Sequence, residues 1–389
     1  MSTCIYVMPD FDRHYFRMGG KDVLDFYNPN SVFSKVIIVS LSDRNCVRHI
    51  GGLKVIDIDS TDYNPFKCFL SKKILLDSVN FNFILESISS DSPVLIFQRF
   101  GGPVYHGLIA TYLSEHFNCK LIVSIQSLYS KVRHGSYLKY RLKRNLEALI
   151  ENYVYKKASR ILLVSNYIKS EVKCKKLLAK SVVIPNKIND KLVNSNSEIV
   201  PYFIDKSNFY LSIGRLIPQK NYNRMIKAFA KYVNDGGIGE YHIIGSGVLK
   251  DDLECLIDDL GMSKRIFIYT DYLNFNQLKF IVNKSKALLF CSQLEGQGRV
   301  VYESLLLGCP VITSLDSPME EMISDKVNGV IVNHKSVNAI CDGIKFISEN
   351  HLPKNVCIAS GAKYLMTNVN EIEDKFLSSV IKKNSFNCK

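Results

Sequence analysis

Glu295 and Glu303, with seven residues between them, bracket a glycine-rich turn in the run CSQLEGQGRVVYESLLLGCPVITS from Cys291 to Ser314. Ala287 to Cys291 is a short apolar run suited to a buried parallel strand. Gly296 and Gly298 punctuate a tight turn, and Val300 to Leu307 predicts a helix closed by Gly308. Cys309-Pro310 then leads into a second strand, Val311 to Thr313. A helix that opens straight after a strand leaves unpaired backbone N–H groups where an anion can sit. Flanking carboxylates accept hydrogen bonds from hydroxyls. An isolated pair of glutamates usually means one solvated loop acid and one helix-face acid, but here four glycine and proline positions frame them.

A second set of charged residues lies about 75 positions upstream. Phe209 to Ile213 reads as a strand, Gly214-Arg215-Leu216-Ile217-Pro218-Gln219-Lys220-Asn221 follows directly, and a helix is predicted over Tyr222 to Val233. Arg215 offers a rigid fork of donors and Lys220 a compact point charge, so the two complement each other towards an anion. A lone Arg/Lys pair in a loop is ordinarily solvent decoration; its strand–loop–helix setting sets this one apart.

Both stretches resemble family 4 glycosyltransferases, a retaining family with the GT-B fold. The first matches the family's E-x7-E signature and the second its G-R-L-x-x-x-K-N element. The resemblance implies two Rossmann-like parallel-sheet α/β domains facing a central cleft. It implies a nucleotide-diphosphate sugar as donor substrate, no tightly bound cofactor and no metal, with Arg215 and Lys220 meeting the diphosphate. As a sugar–phosphate bond breaks, negative charge gathers on the leaving phosphate, and fixed cations aimed there favour the transition state. By resemblance Glu295 lies beside the donor sugar, and the amides of Gly296, Gln297 and Gly298 lie close to sugar and phosphates. Glu303 takes the ribose hydroxyls, with Val300 and Val301 near the nucleoside. Gly19-Gly20 after the first strand and Gly245, in the Gly245-Ser246-Gly247 turn, are the further glycines expected near the donor. Gln297 and Arg299 depart from the family's usual residues, which bears on sugar identity.

Strand and helix alternate through the amino-terminal half, with strands expected over 4–9, 35–41, 53–58, 93–98, 120–125 and 161–165. Gln126 stands where family members often carry a histidine; His106 or His134 could take a similar role, or the acceptor needs none. The family's P-N-G-V-D run reads here as Pro185-Asn186-Lys187-Ile188-Asn189. The expected division is an acceptor-side domain over 1–195 and a nucleotide-sugar domain over 205–365. A terminal helix over 366–389 is expected to cross back to the first domain.

The 389 residues are 47% hydrophobic and 22% charged, which suits a globular protein of two domains. No run approaches the ~20 apolar residues of a spanning helix, and no signal peptide is read at the N-terminus. Eleven scattered cysteines without a C-x-x-C pair point away from a disulfide framework or zinc site, and a cytoplasmic location fits. The net charge is +13, and no nucleic-acid signature accompanies it. Lys131, Arg133, Lys139, Arg141, Lys143 and Arg144 crowd a predicted helix with interleaved Tyr137, Tyr140, Leu142 and Leu146, and Lys173, Lys175, Lys176 and Lys180 form a second group. Such a surface can rest on anionic lipid at the inner face of a membrane, against the plainer reading of a solvated face.

The expectation is therefore a retaining glycosyltransferase acting on a glycan or lipid-linked acceptor in surface polysaccharide synthesis. Two alternatives stay beside it: a non-catalytic module of the same fold serving as a partner or membrane-docking subunit, and a sugar-nucleotide epimerase.

Overall fold

The computed structural model describes residues 2–17, 23–61, 63–76, 78–88, 91–99, 102–127, 138–194, 209–271 and 273–382. The chain divides into two compact units, one formed by Met1–Pro185 with Val369–Lys389 and the other by Asn186–Asn368.

Eight strands build the first unit's sheet: β1 (Thr3–Pro9), β2 (Lys35–Ser42), β3 (Cys46–Ile50), β4 (Leu53–Asp59), β5 (Pro93–Gln98), β6 (Lys120–Ile125), β7 (Arg160–Leu163) and β8 (Ser181–Val183). Their order is β3-β4-β2-β1-β5-β6-β7-β8, parallel except for the β3–β4 hairpin. β1, β2 and β5 are near-continuous runs of buried apolar residues, as expected of strands covered on both faces. The antiparallel edge strand β3 was not foreseen. Its residues alternate between half-buried and exposed, and it turns into β4 through Gly51 and Gly52, both at positive φ.

The terminal segment Val369–Lys389 groups with this unit. Glu373, fully buried, pairs with the buried Arg99 that follows β5, and Lys120 donates to the Val380 carbonyl. Arg99 also lies over the rings of Phe26 and Phe97.

The second unit carries β9 (Phe209–Ile213), β10 (Glu240–Ile244), β11 (Ile266–Tyr269), β12 (Ser285–Phe290), β13 (Val311–Ser314) and β14 (Gly329–Val332). All are parallel, in the order β11-β10-β9-β12-β13-β14. Successive residues of β9 feed opposite faces: Tyr210 enters one apolar layer, Phe209 and Leu211 the other.

The first unit closes at Pro185, where the sequence reading placed 195. The polar segment after Pro185 resembles a linker, but Ile188 and Leu192 are fully buried in the second unit's core. Ile188 also bridges to Leu365. Gly19 and Gly20 lie outside the described residues, as do Lys131, Arg133, His134 and Tyr137. Lys180 does not project with the second basic group. Its ammonium donates to the carbonyls of Tyr155 and Ala158, both at 2.6 Å, closing the end of the helix Leu138–Lys157. Among the described residues no helix is long and apolar enough to cross a membrane.

Candidate active site

In the second sheet the chain runs outward from β9 to β10 and β11, then returns to lay β12 on the other side of β9. Loops leaving adjacent strands at such a reversal diverge and open a crevice at their carboxyl ends. The two charged stretches of the sequence leave β9 and β12, so the topology brings them together.

Lys220 closes a 3-10 turn, Pro218–Lys220, after β9. Its ammonium meets the Glu295 carboxylate at 2.5 Å and lies 4.6 Å from the centre of the Phe290 ring, at the end of β12. Both charged side chains are largely covered, 17% and 15% exposed, so the pair is poorly screened. Tyr222 stands beside them, donating to the Gly214 carbonyl at 3.1 Å. Burial, then the Glu295 charge, holds its phenol above the ordinary value. Arg215 is exposed on the same loop.

Asn221 fixes this loop to its neighbour. Held in the left-handed conformation at φ 61°, it is buried, and its amide donates to the carbonyls of Cys291 (3.0 Å) and His334 (2.8 Å). Its side-chain oxygen accepts from Arg224 at 2.9 Å. Gln293 adds a backbone bond to the Gln219 carbonyl at 2.8 Å. Sequence reasoning gave Asn221 no role beyond its place in the element, although an asparagine before a helix is a recognisable tolerator of positive φ.

The glycine turn after β12 behaves as the residues require. Gly298 begins the helix Arg299–Leu306 at φ 62°, and a Cβ there would lie 2.9 Å from the Met319 sulfur. Gly296 and Gln297 are buried, and the Gln297 side-chain oxygen accepts from the Asn186 N–H at 2.7 Å. Glu303, almost fully buried, receives Arg299 Nε at 2.9 Å, one turn away. Arg299 thus compensates the buried carboxylate. Val300 and Val301 are buried in the apolar layer of that face, and Gly308 ends the helix at φ 77°.

Gly245 is packed against the β9 loop so closely that a Cβ would fall 1.8 Å from the Gly214 oxygen. Burial pushes the Cys291 thiol up to about 12, leaving it inert beside the site. Among the described residues no cluster of His, Cys, Asp and Glu is arranged to hold a metal. In the first unit, the Gln126 amide donates to Ser124 Oγ (2.7 Å) and the Arg99 carbonyl (3.2 Å). His106 is buried there within the π-turn Pro103–Gly107.

This constellation places a cation pair, a carboxylate and a helix N-terminus at one sheet crevice, and the family of glycosyl transferases group 1 matches residues 196–364. A Campylobacter jejuni relative is an N-acetylgalactosaminyltransferase named for a diphospho-undecaprenol-linked acceptor. It is 30% identical over 225 residues, 54% of this chain and 57% of its own length. The chain thus spans about half the length of that curated relative. Sucrose-phosphate synthase of Thermosynechococcus elongatus superposes over 98% of this chain and all of its own, with TM-score 0.74 at 14% identity. A glycosyltransferase of Rickettsia africae superposes over 98% and 99%, with TM-score 0.69 at 15% identity. The fold is that of the GT-B glycosyltransferases, two parallel-sheet α/β domains.

Proposed function

We propose that this chain transfers a sugar from a nucleotide-diphosphate donor to a glycan or lipid-linked acceptor, with retention of anomeric configuration, in surface polysaccharide synthesis. The observation that carries the reading is the covered Lys220–Glu295 pair, placed between the loop after β9 and the glycine turn after β12. The Campylobacter relative's name supports the lipid-linked acceptor.

In this reading the donor diphosphate lies against Lys220, Arg215 and the amides that open the helix Arg299–Leu306. The bond between the anomeric carbon and the phosphate oxygen breaks, its electron pair remaining on the phosphate. An acceptor hydroxyl bonds to the anomeric carbon from the same face, and its proton passes to the departing phosphate. No protein nucleophile is needed. Cations fixed by the scaffold stabilise the charge that develops on the leaving group, and their reorganisation cost is met in folding. Glu295 serves the donor sugar, and Glu303, oriented by Arg299, the ribose.

The test is calorimetric binding of UDP, GDP and ADP and their common sugars to the native chain and to Lys220→Ala. One nucleotide should bind tightly and lose about 10–100-fold in affinity on substitution, the range of a charge-assisted hydrogen bond. A well-folded chain that binds none of them is no transferase.

A further inference from the structure

A second site lies in the first unit, remote in sequence from the charged loops. The carboxyl ends of β2 and β4 and the helices Pro65–Leu70, Lys72–Leu76 and Val79–Ile88 enclose a cavity of about 140 Å³. Its inner wall is apolar: Leu41, Ile58, Leu75, Phe81, Ile84 and Ile109. Asp59, Ser60, Tyr63, Asn64, Lys67, Ser78 and Asn80 line it as well, although the surface it presents is mainly apolar. Ile74 belongs to the wall and is also 51% exposed, which places an opening at the helix Lys72–Leu76.

The surface around that opening is apolar and basic together. Leu70 is 78% exposed, the neighbouring Ile74 half exposed, and Lys67 and Lys73 on the same two helices are exposed as well. Lys72 is committed to Glu115 at 2.7 Å. Asp59, the acid in the wall, is occupied by the N–H and hydroxyl of Thr61. The adjoining helix Leu138–Lys157 touches this patch through Phe69 and Tyr153 and adds exposed Leu149, Lys143 and Arg144.

A wholly polar solute would find no partners on the side chains of Leu41, Ile58, Leu75, Phe81, Ile84 and Ile109. We propose that the cavity holds a hydrocarbon chain whose anionic phosphate head rests on Lys67 and Lys73. A cavity of ~150 Å³ accommodates a molecule the size of benzene, so the enclosed part of the chain is about six carbons. The rest of the chain runs over Leu70 and Ile74. Two sources share this chemistry, a bilayer phospholipid and a polyprenyl phosphate. The site is independent of donor binding in the second unit, so it stands whatever nucleotide, if any, that unit takes.

The test uses the full chain and alkyl phosphates from butyl to dodecyl, each below its critical micelle concentration, with calorimetric readout. Affinity should rise about fourfold per methylene, the transfer value, until the cavity is full, and then level off. Ile84→Phe, which fills the cavity, should abolish the dependence on length. Lys67→Gln with Lys73→Gln, both exposed, should weaken every chain length by the same factor and cut binding to phosphatidylglycerol vesicles about 30-fold. Vesicles of phosphatidylcholine, with and without polyprenyl phosphate, distinguish the two sources. Affinity that is absent, independent of chain length, or rising without a plateau overturns the proposal. Should Ile84→Phe fail to fold, the length series and the lysine pair still decide it.

Discussion

Glu295 is expected to oppose the binding of a bare nucleoside diphosphate, although it stands inside the site. In the structure its carboxylate already meets the Lys220 ammonium at 2.5 Å. An incoming diphosphate must share that cation and approach within about 6 Å of the carboxylate. At an effective dielectric of ~20, two like unit charges 6 Å apart repel by roughly 3 kcal/mol. Both side chains keep some contact with solvent, which reduces this to about 1–2 kcal/mol. Glu295→Gln retains the shape and can still hydrogen-bond, but removes the charge. It should therefore tighten binding of the nucleoside diphosphate about 5–30-fold, while Lys220→Ala weakens it. Turnover should fall in both variants, because Glu295 is assigned to the sugar. The assay is calorimetry with the preferred nucleoside diphosphate at two salt concentrations, alongside initial rates. Opposite signs for the two substitutions are the signature. Were both to weaken binding equally, the pair would be a brace that shapes the turn, and the charge argument would be wrong.

Gly245→Ala puts a methyl group 1.8 Å from the Gly214 oxygen, a backbone atom that no rotamer change can move. Parting β9 from β10 to relieve this should cost about 3 kcal/mol, read by denaturant unfolding together with lost nucleotide binding. Arg99→Met leaves Glu373 buried without its cation and should cost about 3–5 kcal/mol; adding Glu373→Leu should recover most of it in thermal melts. Burial, then the neighbouring Glu147, raises the Glu151 carboxyl from 4.5 to about 7. The folded state therefore holds a proton that the unfolded state releases, and stability is lost as pH rises from 4.5 to 7; Glu151→Gln should stabilise by about 1–3 kcal/mol above pH 7 and by nothing near pH 4.5. Burial lowers His106 from 6.5 to about 4, so its contribution runs the other way, lost as pH falls from 6.5 to 4; His106→Gln should remove that acid limb.

The strands were legible because buried parallel strands are near-continuous apolar runs, and β1, β2, β5 and β6 are such runs. β3 was not, because an edge strand with exposed alternate positions carries no apolar run to find. The unit boundary at Pro185 differs from the expected 195 because the polar residues after it hide buried ones. The polar segment from Asn189 onward reads as a linker, yet Asn189 is buried and Ile188 and Leu192 beside it are core. Glu303 with Arg299 is a one-turn helical pair and could have been read from spacing alone. The Lys220–Glu295 contact could not, since it depends on β12 returning to lie beside β9, and that order is written nowhere locally.

The same topological device occurs in both units, and the comparison explains why one of them carries the readable chemistry. In the first sheet the reversal falls between β1 and β5, as it falls between β9 and β12 in the second. A cation follows the returning side of the first crevice too: Arg99 leaves β5 and its N–H bonds to the Val7 carbonyl of β1. There, however, the guanidinium is buried, stacked on Phe26 and neutralised by Glu373 from the terminal helix, with Arg99 Nη2 3.2 Å from the second carboxylate oxygen. In the second crevice Arg215 stays exposed and Lys220 faces a carboxylate that solvent still reaches. One crevice is closed by the chain's own acid and contributes stability; the other keeps its cations within reach of an anion. The proposed diphosphate would need the second arrangement, with cations it can reach; the first, closed by Glu373, offers it none.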